Sequence, residues 1–450
     1  MLIDCGSLGN HSTNVDFDQI AKDVRETVGT TGKLDFVVAT HEHKDHLCGF
    51  RKTLNDFVGK VDHVWLAWTE DPSDSVTQQL VKDRRDLGEA LTSISRVKGS
   101  AAIQEQLLDV LAFSGDLSAT AFAETVHSDM EFVRTKLGAK VSYFRPGNVI
   151  NEMIPGFRIF ILGPPRDGKK LGLLGEHGSA ELYGIQRAAA FQTAVSNIDD
   201  HSRDTLLQFE LDQPFDNRHT RRGDSIVDRY PEYCDEENTW RGIETDWLDV
   251  ASELALQLDS ITNNTSLAFA IERISDGKVL LFPADAQLGN WKSWHDPSLK
   301  FIDEEGHNIN ITAKDLLDRT VFYKVGHHAS HNATARGDGL ELMRQHQELT
   351  AFIPVDRAIA LSRNPPDSWQ MPAPLLYRQL LEKCQGRVAR SDLGWATRPK
   401  AEQSTEIAFR DIATAAKWKE WEKSQAATTH VRITPLFVEY KLPETEDGAG

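Results

Sequence analysis

Apolar residues in the first seventy positions come in short runs separated by polar, turn-prone stretches. Leu2-Ile3-Asp4 and Leu34 to Val38 read as strands, as does "HVWLAWT" at His63 to Thr69. Between them, Asp16 to Val28 has the 3.6-residue apolar spacing of an amphipathic helix, and a second helix is expected after Asp45. Strand alternating with helix predicts an α/β fold. From about residue 71 to 140 the pattern changes to long charge-laced segments such as "SVTQQLVKDRRDLGEALTSISRV", which read as an inserted helical region. Strands resume with "KVSYFRPGNVI" and "FRIFILGPP", and a polar, punctuated stretch at about 168 to 245 reads as a second, partly irregular insertion. Regular patterning returns with the helix "TDWLDVASELALQLDSI". The strands "TSLAFAIERI" and "GKVLLFPAD" follow, joined by Ser275-Asp276-Gly277 in hairpin position. Strands "TVFYKVG" and "LTAFIPV", helix "APLLYRQLLEKC" and a last strand in "VRITPLFVEYKL" complete the pattern, before a tail expected to be disordered.

Composition narrows the function. The 450 residues carry 68 acids against 50 bases, a formal charge of −18 that argues against a generic grip on nucleic acid or anionic lipid. Four scattered cysteines form no C-x-x-C pair, so neither a disulfide framework nor a thiolate zinc site is indicated, and reduced thiols suggest a cytoplasmic setting. No apolar run reaches membrane-spanning length. The first residue already belongs to a strand, which leaves room for an upstream segment. The short basic clusters "GKK" at 168 to 170 and "RHTRRGD" at 218 to 224 read as solvated loop surface. Most of Trp65, Trp68, Trp240, Trp247, Trp291 and Trp294 read as core or lid packing rather than base-stacking platforms.

The candidate chemistry sits in "ATHEHKDHLCG", directly behind the run Leu34 to Val38. Residues two apart on a strand point the same way, so His41 and His43 can converge on one ion. Asp45 and His46 swing toward another as a helix begins. Two later apolar strands also end in ligand-type residues: "VLLFPAD" ends at Asp285, and "FYKVGHHASH" ends at His327 and His328. Ligands gathered at strand ends along one sheet edge make a single site. Two ions roughly 3.5 to 4 Å apart would bring a bridging water near neutral pKa and neutralise a developing oxyanion. Ser330 and Asn332 are placed to hydrogen-bond an oxyanion or to orient a ligand. No phosphate-cradling P-loop and no G-x-S-x-G elbow is present.

With H-x-H-x-D-H at His41 to His46, an opening "LIDCG", and "NNTSLAFAIE", "LLFPADA" and "KVGHHASHNAT" further on, the chain resembles the metallo-β-lactamase superfamily. Within it, the likeness is to the branch that includes the hydrolase domain of DNA-uptake competence proteins. The resemblance touches most of residues 1 to 365. It implies an αββα sandwich over residues 1–395, with the two insertions, and a C-terminal extension over 396–450. Carried over residue by residue, it implies that His41 and His43 hold a first ion and that Asp45 and His46 hold a second. Asp285 would bridge the two, and His327 would complete the second site. His328 would then stand behind the ligands or face substrate, the reverse assignment being the alternative. Asp4 would support the metal loop without binding metal. The family's further first-site histidine is missing from "FILGPPRD", and His177 is the nearest downstream candidate.

The implied cofactors are two divalent ions, zinc first, with manganese or iron as alternatives. The implied reaction is attack by a metal-bound hydroxide on a small-molecule phosphodiester or ester-type substrate, with Asp45 and Asp285 as the catalytic carboxylates. A bridging aspartate in place of cysteine argues against β-lactam hydrolysis. Two other functions compete with this one: a nuclease acting on DNA or RNA, opposed by the net charge, and a non-catalytic metal-binding or scaffold protein that keeps the fold.

Overall fold

A computed structural model describes residues 1–7, 16–29, 32–82, 84, 123–151, 153–171, 260–362, 370–400 and 405–444. The chain divides into two compact units. One comprises Met1–Thr77, Val126–Gly178 and Ser260–Gly450, and the other Gln78–Thr125 and Ser179–Asp259. The second unit lies almost wholly outside the described residues. So do His177, Trp240, Trp247, the 218–224 cluster, nearly all of the helix expected at 245–261 and the last six residues of the tail.

In the first unit, β1 (Leu2–Ile3), β2 (Leu34–Val38), β3 (Val61–Ala67) and β4 (Lys140–Phe144) form a four-stranded sheet in that order, parallel throughout. The connections carry helices α1 (Phe17–Val28), α2 (Lys44–Leu47), α3 (Phe50–Leu54) and α4 (Ala123–Thr135). Asp16 starts α1 by accepting from the amides of Asp18 and Gln19. Alternation along the strands divides the side chains. Val37, Ala39, Val64 and Leu66 pack with Leu47, Phe50, Met130 and Val133 from the helices. Phe36, Val38, Trp65 and Ala67 instead meet Ile159, Ile161, Leu267, Phe269 and Ile271. A parallel strand buried on both faces needs such an unbroken apolar run, which is why "LDFVV" and "VWLA" read so plainly.

That second set belongs to a mixed eight-stranded sheet. Its strands are β5 (Val149–Asn151), β6 (Phe157–Ile161), β7 (Phe269–Arg273), β8 (Val279–Phe282), β11 (Thr320–Lys324), β12 (Thr350–Ile353), β13 (Val388–Arg390) and β14 (Gly394–Trp395). Their order is β14-β13-β12-β11-β8-β7-β6-β5. From β8 through β13 the neighbours run parallel, and both ends are antiparallel. The far face carries α5 (Leu288–Ser293), α6 (Ala313–Asp318), α7 (Pro374–Lys383) and α8 (Ala415–Ala426). Their Trp291, Trp294, Leu316, Leu317, Leu380 and Trp418 fill one cluster with Ala270, Leu281, Tyr323 and Ala351. The expected burial of Trp65, Trp68, Trp291 and Trp294 holds, each at 2% exposure or less. A small pair, β9 (Phe301–Ile302) with β10 (Asn308–Ile309), bridges through Ile302 to Asn148, just before β5.

The Ser275–Gly277 turn forms as expected, with Gly277 at φ 72° and the Asp276 carboxylate accepting from the Lys278 amide. Three strand readings change. "HVWLAWT" is strand only to Ala67, and Trp68–Glu70 turns into a 3-10 helix. "KVSYFRPGNVI" breaks at Pro146-Gly147, where Gly147 has φ 91°, and its halves join different sheets. "VRITPLFVEYKL" is a hairpin, β15 (Val431–Ile433) with β16 (Val438–Tyr440), because the Thr434 hydroxyl accepts from the amides of Leu436 and Phe437. Tyr440 lays this hairpin over the sheet, its ring 4.8 Å from Phe322 and 6.4 Å from Phe352.

The chain leaves the described fold after Leu171, and where it re-enters, the Asn264 side-chain amide donates to the Leu171 carbonyl at 3.0 Å. At the end of β13, Arg390, 1% exposed, donates to Glu406 at 2.6 and 3.1 Å and to Asp392 at 2.9 and 2.7 Å.

Candidate metal centre

The site lies where β2, β8 and β11 end. Behind β2, the chain turns through Thr40 to His43 into α2, whose first turn carries Asp45 and His46. The loop is held from beneath by Asp4, whose carboxylate accepts from the Thr40 amide at 2.8 Å, the Thr40 hydroxyl at 2.8 Å and His46 Nδ1 at 2.7 Å. Asp4 sits at φ 52°, a left-handed conformation that aspartate tolerates better than most residues. Two residues later the backbone passes so close to the metal loop that a Cβ on Gly6 would lie 2.3 Å from the Asp45 carbonyl.

Behind β8, the Asp285 amide donates to the Ser266 hydroxyl at 3.1 Å. Behind β11, His327, His328 and Ala329 all take positive φ, at 42°, 50° and 59°. Three such non-glycine residues in succession are costly, and conformations of this kind collect at functional segments. Here the turn is fixed by the His327 amide donating to Asp285 Oδ1 at 3.0 Å and by His328 Nδ1 donating to the Pro354 carbonyl at 2.6 Å. Gly326 lets the two ligand loops meet, since a Cβ there would lie 2.1 Å from the Ala284 carbonyl oxygen.

Asp45, His46, Asp285 and His328 converge, one ligand atom from each within 4.8 Å of the others. His328 Nε2 lies 2.7 Å from Asp45 Oδ2, and His46 Nε2 lies 3.2 Å from Asp285 Oδ2 and 3.5 Å from Asp45 Oδ2. The sequence placed His327 in the ligand set and His328 behind it; the geometry groups His328. Both nitrogens of His327 face neutral protein groups. Nδ1 meets Ser330 Oγ at 2.8 Å and Asn332 Oδ1 at 3.1 Å, while Nε2 is 3.4 Å from the Asn263 amide. Ser330 thus orients His327.

His41 and His43 are buried beside this group but pair with each other, His41 Nε2 to His43 Nδ1 at 3.1 Å. The Thr40 hydroxyl donates to Asp4 and therefore accepts from His41 Nδ1. That leaves His41 Nε2 as the acceptor for the His43 Nδ1 proton. The four-residue group is the one cluster of its kind among the described residues. Behind β6, Gly163 packs against Asn290, whose Oδ1 would lie 2.0 Å from a Cβ, and no histidine stands there.

Electrostatics sort the imidazoles. Burial drives His41 well below 6.5, reinforced by His46 and His43, and drives His43 to about 4. Burial lowers His327 as well. Burial opposes the charge on His46 too, but Asp285, Asp45 and Asp4 outweigh it and hold His46 well above 6.5. His328 is raised against its burial by the hydrogen bond and charge of Asp45. Burial penalises the Asp45 and Asp285 carboxylates, yet His46 first of all keeps both below the ordinary aspartate range.

No family model, curated protein or solved structure matches this chain.

The donor set fits a divalent cation. Asp45 Oδ1 is buried without a hydrogen-bond partner among the described residues, an expensive condition for a carboxylate oxygen unless a cation meets it. His46 and His328 each commit Nδ1 to an oxygen behind them, Asp4 and Pro354, and so aim Nε2 into the group, the arrangement that orients metal-binding histidines. Two carboxylates and two imidazoles suit zinc, manganese or iron. Thr40, Ser266, Pro354 and the two glycines were not anticipated. Gly6 alone offered a signal, as a glycine directly behind an opening strand.

Proposed function

We propose that the chain is a metal-dependent hydrolase of the metallo-β-lactamase type, acting on a phosphodiester or ester-type substrate. The observation that carries this reading is the buried Asp45, His46, Asp285 and His328 group, assembled from strand ends of two sheets. Layering supports it: helices, four-stranded sheet, eight-stranded sheet and helices follow one another through three apolar clusters, as an αββα sandwich requires.

In this reading the four residues hold a divalent ion. Once bound, that ion supplies Lewis acidity toward the scissile group and lowers the pKa of water. The protein's own residues do the rest. Asp4 and Pro354 keep Nε2 of His46 and His328 turned inward, and Ser266 fixes the turn that presents Asp285. His41 and His43, kept neutral by burial, bring no competing positive charge to the β2 side of the group.

The test is elemental analysis of protein purified without chelators, with bis-p-nitrophenyl phosphate hydrolysis measured on the same samples. At least one ion per chain is expected, with both metal and turnover lost in Asp285→Asn. Metal-free protein, or turnover indifferent to Asp285→Asn, would overturn the reading and favour the scaffold alternative.

A further inference from the structure

A second feature shares a residue with the metal centre. A cavity of about 640 Å³ lies between the C-terminal ends of β11, β12 and β13 and the turn of the β15–β16 hairpin. Pro354, whose carbonyl anchors His328, lines it. Phe322, Phe352 and Phe437 give it an aromatic lining, and Lys324 brings an ammonium group. From Lys324 to His328 is four residues, so the two α-carbons are at most about 14 Å apart. The volume is in the range that encloses a drug-sized molecule.

Lys324 distinguishes this cavity from a packing gap. It is half-buried, and no acid among the described residues lies within ion-pair distance of it. Of the other charged residues that line the cavity, Arg390 and Asp392 pair with each other at 2.7 Å, and Arg390 also meets Glu406 at 2.6 Å. Lys324 is thus the cationic lining residue with no carboxylate partner among the described residues, and it stands among aromatic rings. Leu393 and Leu436, two more of its lining residues, keep 39% and 43% of their surface exposed, large for apolar side chains.

We propose that this cavity binds the substrate through an apolar, aromatic or acyl body and an anionic group, carboxylate or phosphate, paired with Lys324. Its role as a substrate pocket rests on the hydrolase reading; its ligand chemistry does not. The cavity lining contains none of the four residues of the metal centre, so binding and hydrolysis can be tested apart.

Isothermal titration calorimetry on the full chain, stripped of metal and freed of chelator, would use 4-phenylbutyrate, 4-phenylbutyl phosphate and the uncharged 4-phenylbutan-1-ol. Saturable binding of at least one anion at one per chain is expected, and the tighter of the two identifies the headgroup. Lys324→Met is expected to weaken the anion about tenfold while leaving the alcohol nearly unchanged, and Lys324→Arg to keep the anion. Leu436→Glu, at an exposed turn position, provides an independent variant that repels the anion with no change in the strands. No saturable anion binding, or equal affinity in wild type and Lys324→Met, would overturn the proposal. Anion binding without any metal-dependent turnover would sink the hydrolase reading alone, and turnover without anion binding the pocket alone.

Discussion

Asp4→Asn tests the support of the metal centre most directly. Asp4 Oδ1 accepts from the Thr40 amide, and Oδ2 accepts from both the Thr40 hydroxyl and His46 Nδ1. Asparagine keeps the left-handed backbone and one oxygen for Thr40 N, but places an NH2 where Oδ2 stood. Two donors then face each other at 2.7 Å unless His46 moves its proton from Nδ1 to Nε2. In that tautomer Nε2 carries a hydrogen and has no lone pair to offer a cation. Removing such a supporting group usually lowers metal affinity 10- to 100-fold, about 1.4 to 2.7 kcal/mol. The fold should lose only about 1.5 to 3 kcal/mol, the worth of one charge-assisted hydrogen bond. The assay is zinc competition against a chromophoric chelator, with urea denaturation of the metal-free protein alongside. Asp4→Asn that binds zinc as wild type does would refute the idea that Asp4 sets the His46 tautomer. A stability loss large enough to unfold the chain would refute the division between the two effects.

Other expectations follow from the same geometry. His328→Ala should weaken zinc at least tenfold while His327→Ala changes it less, as read by the same competition assay; the reverse order would restore the ligand set first read from the sequence. His46 and His328 hold their protons above the ordinary histidine pKa without metal, so metal must displace them. Zinc binding at pH 7 should release up to about two protons, seen as a buffer dependence of the calorimetric enthalpy, and affinity should rise with pH. Buffer-independent enthalpy would contradict this. Glu406→Gln removes the charge facing Arg390 in a nearly dry setting and should cost about 3 kcal/mol in urea unfolding; a shift below about 0.5 kcal/mol would mean that Asp392 alone suffices.

Asp45, His46 and Asp285 were legible because each follows a strand apolar enough to be recognised without its partners. The choice between His327 and His328 was not. Adjacent residues on a left-handed turn point in different directions, and the direction here is set by the Pro354 carbonyl, 26 positions away. Pairing of His41 with His43 was equally hidden, since alternation along a strand predicts convergence whether the two imidazoles meet an ion or each other. The strand errors have a common cause. Apolar period cannot reveal a break inside a run, and Pro146-Gly147 and Thr434-Pro435 were the local signals that outweighed it.

The hydrogen bond from Asn264 to Leu171 makes the intervening stretch a detour that begins and ends at one place. Strands β6 and β7 pair beside that place, so their register joins the residues on either side of the detour. Its length can change at little expense to the remainder, because closing a loop costs only about 0.6 kcal/mol for each doubling. A chain shortened by joining Leu171 to Ser260 through a few glycines and serines should therefore keep Asp45, His46, Asp285 and His328 together. Whatever the detour contributes, all four residues of the candidate metal centre lie outside it.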